Sequence, residues 1–530
     1  MAAPGEVFVL ALDLGTSACK VDLISELGEI VGREAEPVPT DFVDNGGAEQ
    51  DAQACWGTFV RCAQRLIGRA LVPPGAIVAV CAATHGLGTI PVDRSGTPLH
   101  PALIWLDARG RDYSRRLVAG VPSVQGYGLA KLLRWVRLTG GAPSLSGKDA
   151  IGHLLFLRTE RPEIYRAAHK FLDVLGYFDF RLTGRFVSTG DNAAQTWLTD
   201  NRDPRRIRYH PALLAQAGLD LDQLPDIVGS TQVIGPLLPA VADELGLPRG
   251  IQVVGGSFDL PAAGLGAGAA ADFEGQLSIA TSSFFTVHVP YKKTDVQHAM
   301  ASLPCGIPDR YMLMAEQEIA GASLTFLRDQ LLYPSDALSQ APPPEDFFAR
   351  VNRAAEQAPP GSHGVVFAPW LYGERAPVDD PTLRGMFFNL SVETTRSDLL
   401  RAVMEGVALN ARWILGPVES FCGRSMEPLR LAGGGAQSDL WCQIYADVLG
   451  RTVLQIESPM HATARGAAFL ALVGLGRMRF EDISQRVRVQ RRYVPHPERR
   501  AIYDEQFRAF VDLYAGTHAI TRRLNRVRER

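Results

Sequence analysis

The seven cysteines of this chain are scattered, and none stands in a C-x-x-C pair or at a zinc-ligand spacing. That excludes a cysteine metal site and a disulfide framework, and it suits small core residues in a reduced cytosol. Charge of one sign is equally scarce: 54 Lys+Arg stand against 57 Asp+Glu, a net charge of −3. Such a balance leaves no footprint for nucleic acid or for an anionic membrane surface. The basic residues gathered at 522–530 read as the solvated end of a helix. No stretch approaches the ~20 apolar residues of a membrane span. The opening stretch has no basic start and is broken by Asp13, so it reads as a first strand and not a signal peptide. What is present is the composition of an ordinary globular protein, 46% hydrophobic and 21% charged, over 530 residues. A chain of that length is expected to divide into at least two domains.

Two short segments look like one device used twice. Residues 12–18 read LDLGTSA and residues 277–283 read LSIATSS. Each follows an apolar run, turns through small and hydroxyl-bearing residues, and leads into a second apolar run. Strand, tight turn, strand is a hairpin whose tip presents N–H groups and hydroxyls, and such tips grip phosphate oxygens. Two copies on two lobes would hold one nucleotide polyphosphate between them, which points to an ATP-using, two-lobed α/β enzyme. The first lobe is expected to open with strands at 6–12, 18–24 and 29–34, then a helix over 51–70 and a buried strand at 76–82. A strand at 251–255 leads to the place where the lobes meet. The second lobe then repeats the hairpin and continues with a helix from Thr395, a strand at 428–432, helices at 438–449 and 463–475, and a last helix at 502–514.

Phosphoryl transfer needs charge neutralisation, a metal and positioning. In the first turn, Gly15 admits a tight bend, Thr16 and Ser17 can donate to phosphate oxygens, and Lys20 adds positive charge if it points back to the tip. Asp13 can hold Mg²⁺ through water. Thr281 and Ser282 offer the second set of donors. Asp259, in GGSFDLPAAG, follows a buried strand and precedes a small-residue helix opened by Pro261. It is either a helix N-cap or the base that takes a proton from a hydroxyl nucleophile, and it can share the metal with Asp13. The run Gly433, Gly434, Gly435, Ala436 before Ser438 lets a flat ligand approach the backbone, while Ser438 caps the next helix. Thr84-His85-Gly86 and the segment holding Trp105 and Asp107 each follow an apolar run. They supply the fixed polar groups and apolar wall of a sugar or polyol site. Glu49-Gln50-Asp51 either caps the helix that follows or lines the cleft, and capping is the expectation.

Taken in order, these segments resemble the FGGY family of carbohydrate kinases, most closely its xylulokinase-like members. The signposts are LDLGTSACKVDL, AEQDAQACW, ATHGLGTIPVDRSGTPLHPALIWLDAR, GGSFDLPAAGLGAGA, SIATSSF, LYGERAPVDDPTLRG, LLRAVMEGVA and LAGGGAQSDLWCQIYADVLGR. The resemblance implies two actin-like (ribonuclease H-like) domains flanking a deep cleft, expected at 1–255 and 256–480, with a helical tail at 481–530. It implies MgATP mainly on the second domain and sugar mainly on the first, Asp259 as base, His85 beside the sugar, and a homodimer. D-xylulose is the first expectation for the acceptor. L-ribulose, erythritol or glycerol is the alternative, and a non-catalytic actin-like scaffold is a further one. Three positions depart from the family pattern: Thr84 where many members have Met, Leu260 where a polar residue follows the base, and Ala280 where the second turn starts with Gly.

Overall fold

Buried along its whole length, the first strand is central to its sheet. In the computed structural model, which describes residues 5–338 and 340–525, β1 (Phe8–Leu14) is buried at every position. On one side it pairs antiparallel with β2 (Ala18–Ser25), which pairs antiparallel with β3 (Ile30–Pro37). On the other side lies β4 (Ile77–Thr84), parallel to β1. β5 (Val233–Pro236) and β6 (Gln252–Phe258) complete the order β5-β6-β4-β1-β2-β3, with β6 parallel to β4. Helix α1 (Ala52–Gly68) is started by Asp51, whose carboxylate accepts the N–H groups of Gln53 and Ala54 at 2.8 and 3.1 Å. It buries Trp56, Phe59, Ala63 and Leu66 in the first-lobe core. Helix α2 (Asp259–Gly266) follows β6 directly.

The second lobe is built on β7 (Gly275–Ile279), β8 (Ser283–Val289), β9 (Thr294–Asp295), β10 (Met300–Pro304), β11 (Tyr311–Gln317), β12 (Leu429–Ala432), β13 (Val453–Ile456) and β14 (Val489–Tyr493). Their order is β9-β10-β11-β8-β7-β12-β13-β14. Helices α3 (Arg396–Cys422) and α4 (Asp439–Leu449) pack on it, α6 (Arg500–Asn525) lies over those two helices, and α5 (Ala462–Gly474) packs against β1, β4 and β6 of the first sheet. A capping box between Thr395 and Asp398 starts α3. Without their flanking strands the two sheets are the same object: β3-β2-β1-β4-β6 and β11-β8-β7-β12-β13, three antiparallel strands followed by two parallel additions. The duplication expected from two hairpins therefore extends through five strands.

The helices after the two fifth strands, α2 and α5, cross at glycines. A Cβ on Gly266 would stand 1.7 Å from the Ala462 carbonyl oxygen, and one on Gly466 would stand 1.8 Å from that of Ala262. The lobes also meet at Asp22 of β2. Its carboxylate lies 2.8 Å from Nδ1 of His461, whose Nε2 lies 3.0 Å from Arg33.

Some boundaries move. β6 stays in the first sheet to Phe258, so a division at 255 would cut a strand. The C-terminal stretch contributes the strand β14 to the second sheet as well as a helix. α6 runs past the expected 514 to Asn525, with Thr521 and Asn525 buried and the Asn525 amide donating to the Thr382 carbonyl at 3.1 Å; residues 526–530 lie outside those described. All seven cysteines are free and buried. Among the described residues no helix is long and apolar enough to cross a membrane.

Candidate active site

The β1–β2 hairpin turns at Gly15, Thr16 and Ser17, closed by the Gly15 N–H on the Ala18 carbonyl at 3.0 Å. Asp13 and Lys20 face each other across this hairpin, and the ammonium donates to Asp13 Oδ2 at 2.8 Å. Asp13, with weaker help from Asp22 and Asp259, holds the Lys20 pKa above its usual value. The tip is braced from behind. The Trp105 indole N–H donates to Thr16 Oγ1 at 2.9 Å, and the Gln50 amide donates to the Thr16 carbonyl at 2.7 Å. Since Thr16 Oγ1 accepts from Trp105, its own proton remains free to donate.

Next to this tip, the His85 N–H donates to the Leu14 carbonyl at 2.8 Å, tying the end of β4 to the end of β1. The imidazole Nε2 lies 3.2 Å from Gln50 Oε1. The Gln50 nitrogen is committed to Thr16 and to Thr40 Oγ1, so the atom facing His85 is the oxygen and Nε2 carries the proton. Burial pushes this imidazole down to about 4 against the Gly86 carbonyl, which lies 3.5 Å from Nδ1, and leaves the ring neutral. Asp51 caps α1 as expected, whereas Gln50 is buried behind the hairpin tip.

Asp259 begins α2, with Phe258 and not Asp259 at the N-cap. Phe258 pairs with Thr84 across β6 and β4, so Asp259 and His85 leave the sheet side by side. The carboxyl of Asp259 is raised to about 7, chiefly by burial, then by Asp13 and by Glu316 of the opposite lobe, against the Leu260 N–H that favours its ionised form. Across the cleft, Arg375 pairs with Glu316 and with Glu318, the latter at 3.1 Å. Lys148 of the first lobe lies 5.1 Å over the Tyr372 ring of the second.

The second hairpin turns at Ala280, Thr281 and Ser282. Ala280 and Thr281 are exposed, and the turn is held from behind by N–H groups of Ala320, Gly321 and Ala322 on the Thr281 and Ala280 carbonyls at 2.8 to 3.2 Å. Ala280 does not adopt positive φ, so alanine fits where a glycine was expected. In the glycine run only Gly433 is left-handed, at φ +88. A Cβ on Gly433 would stand 2.6 Å from the Ile279 carbonyl oxygen and one on Gly435 2.4 Å from Ile279 Cγ2, whereas Gly434 has nothing within 4 Å. Gly433 and Gly435 thus lie tight against the second hairpin, and Gly434 faces open space. Ala436 is buried, its carbonyl accepting from Gln455 at 2.9 Å. Ser438 caps α4 through the Trp441 N–H at 3.1 Å.

Two residues expected to touch sugar are occupied elsewhere. Thr84 is fully buried, its hydroxyl donating to the His85 carbonyl at 3.2 Å. Asp107 is fully buried and accepts from the Ala48 N–H at 3.0 Å and from Arg109 Nη2 at 2.6 Å. Arg109 also reaches Glu49 at 2.6 Å, so Asp107 supports the wall behind the cleft instead of forming its surface. Gly86 and Trp105 are partly exposed. Among the described residues no group of three or more His, Cys, Asp or Glu is placed to hold a metal. Asp13 and Asp259 are a pair of mutually repelling carboxylates, a donor set that fits an ion keeping most of its water, as Mg²⁺ does.

Two lobes of the same five-stranded order, each with a hydroxyl-tipped hairpin, define the actin-like ATPase fold of sugar kinases. Residues 8–266 match the N-terminal domain, and residues 275–475 the C-terminal domain, of the FGGY family of carbohydrate kinases. The chain belongs to that family. It is 28% identical over 507 residues to the xylulose kinase of Escherichia coli (strain K12), covering 95% of this chain and 98% of that protein. It is also 28% identical over 527 residues to the autoinducer-2 kinase of Enterobacter sp. (strain 638), covering 96% and 94%. The crystal structure of gluconate kinase from Lactobacillus acidophilus superposes with a TM-score of 0.83 at 23% identity, over 97% of this chain and 99% of that one. This last likeness is one of fold.

Proposed function

We propose that this carbohydrate kinase transfers the γ-phosphoryl group of ATP to a terminal hydroxyl of a ketose, with D-xylulose the first candidate. The observation that carries the reading is Asp259: a carboxyl raised to about 7 in the cleft, next to a neutral histidine and under the field of Asp13. A base so poised accepts a hydroxyl proton near neutral pH. Gly15, Thr16, Ser17 and Lys20 on one lobe, with Thr281 and Ser282 on the other, would hold the phosphates. Gly433 to Ala436 and Ser438 would lie against the adenosine. Asp13 and Asp259 would hold Mg²⁺, which supplies charge neutralisation of the phosphates. His85 would stand beside the sugar, with Gly86 and Trp105. The likeness to proteins named xylulose kinase supports the ketose. Similar likeness to proteins named autoinducer-2 kinase and gluconokinase sets the range of acceptors to be compared. We place the division between the domains after α2 and keep the C-terminal stretch with the second.

The test is ADP release with MgATP and a panel of D-xylulose, L-ribulose, erythritol, glycerol and gluconate. The reading requires release that depends on the acceptor and is fastest with a ketose. Slow hydrolysis indifferent to every acceptor would instead indicate a nucleotide-driven scaffold.

A further inference from the structure

Gln195 follows the short helix Gly190–Ala194 and is 8% exposed. Its carboxamide lies against Gly86: a Cβ built on that glycine would stand 2.3 Å from Oε1 and 3.1 Å from Nε2. Nε2 is buried and has no hydrogen-bond partner. The groups around it are well satisfied. The Asp191 carboxylate accepts from the hydroxyls of Ser257, Thr189 and Ser230 and from the Asn192 N–H. The Asn192 amide donates to Thr189 Oγ1 at 2.9 Å. Ser257 is on β6, two residues before Asp259, so one buried network fixes both the base and the segment that ends in Gln195. The Gln195 amide stands beside that network and not in it, and a buried donor left unpaired costs stability and calls for a partner outside the chain.

The space available for that partner is small. Gln195 lines a cavity of about 20 Å³ together with Leu87, Gly88, Thr89, Asp173 and Asn192. Leu87, two residues along the chain from His85, is in its wall, Leu154, Phe171, Leu172 and Leu224 make its apolar side, and it admits about one oxygen-sized group. A sugar ring does not fit there, but one hydroxyl does.

Resting on the reading of the cleft as a ketose kinase site, we propose that Gln195 determines specificity by hydrogen-bonding the hydroxyl at the end of the acceptor remote from the phosphorylated one. The preferred acceptors are then 2-ketoses with an intact C1 hydroxyl, and 1-deoxy ketoses are disfavoured. A site built to bond a hydroxyl discriminates strongly against the analogue lacking it, because its own buried group is left unpaired.

The experiment measures kcat, acceptor KM and ATP KM for D-xylulose and 1-deoxy-D-xylulose, in the wild type and in Gln195→Met, which keeps the length and removes the amide. The expected result is a rise of at least tenfold in the KM for D-xylulose, an ATP KM within twofold, and a preference for D-xylulose over the 1-deoxy sugar that falls at least tenfold. Gln195→Ala reads the same ratio should the Met variant fail to fold, which thermal melting detects. An unchanged acceptor KM, or an equal loss for both sugars, overturns the proposal and leaves Gln195 with a buried water as partner. A wild type that phosphorylates no ketose overturns the functional reading and this inference with it; an active wild type with an indifferent Gln195 variant overturns this inference alone.

Discussion

At the scale of single residues, Asp259 sets the sharpest expectations. Its carboxyl sits near 7 in the folded protein, and only the ionised form can take a proton. The kcat/KM for the acceptor is therefore expected to rise with pH and reach half its plateau near pH 7; a profile flat from pH 5.5 to 8 contradicts the assignment. Asp259→Asn is expected to lower kcat by roughly 10²–10⁴-fold in the same ADP-release assay, the usual contribution of a general base. The stability effect has the opposite sign. A carboxyl whose pKa is raised on folding destabilises the native state where it is ionised, above about pH 7, and not below the unfolded value near 4. Asp259→Asn should therefore raise the melting temperature at pH 8 and leave it unaltered at pH 4. The position of Asp259, between a buried strand and a small-residue helix, was legible in the sequence. Thr84 and Asp107 were read as sugar contacts because they end apolar runs, a pattern that does not say which side of the strand end faces the cleft. Gln195 gave no signal, and Gln50 was read only with its neighbours as a choice between cap and cleft, because an amide becomes informative only when its partners are seen.

At the scale of elements, the two hairpins were legible because two apolar runs separated by a short turn of small and hydroxyl-bearing residues read as strand, turn and strand. The strand order beyond them was not, since parallel neighbours such as β1 and β4 are set by long-range packing. The glycines divide in a way that sequence does not reveal. At Gly15 a Cβ would meet only the Ala18 carbonyl oxygen at 3.6 Å and φ is not positive. Gly15→Ala should therefore melt like the wild type while raising ATP KM, because the methyl group stands at the phosphate-facing tip. Gly433→Ala meets both a left-handed backbone and the Ile279 carbonyl, and should lose about 1–3 kcal/mol of stability. Gly434→Ala should fold normally. Urea titrations of the three variants check this ranking, and equal losses at Gly433 and Gly434 would refute it.

At the scale of the whole molecule, the lobes are joined by a charge cluster as well as by the α2–α5 crossing. Asp22 is fully buried, and removing its partner leaves a carboxylate without compensation. His461→Leu is expected to lose about 3–5 kcal/mol, measured by denaturant unfolding, and the double variant with Asp22→Asn should recover part of that loss. A double variant no more stable than the single one would deny the pair any coupling. No sequence pattern announces such a pair, whose members stand 439 residues apart.

The glycine crossing bears on how a reaction between the halves could keep its aim. Asp259 is the first residue of one of the two crossing helices, close to the point where neither helix has room for a side chain. Were the arms to swing about that crossing, a residue beside it would travel least, so Asp259 would keep its place in the first arm while the far hairpin moved toward it. A hydroxyl held there would be aligned before the phosphate arrived, and the motion would have only to deliver the donor.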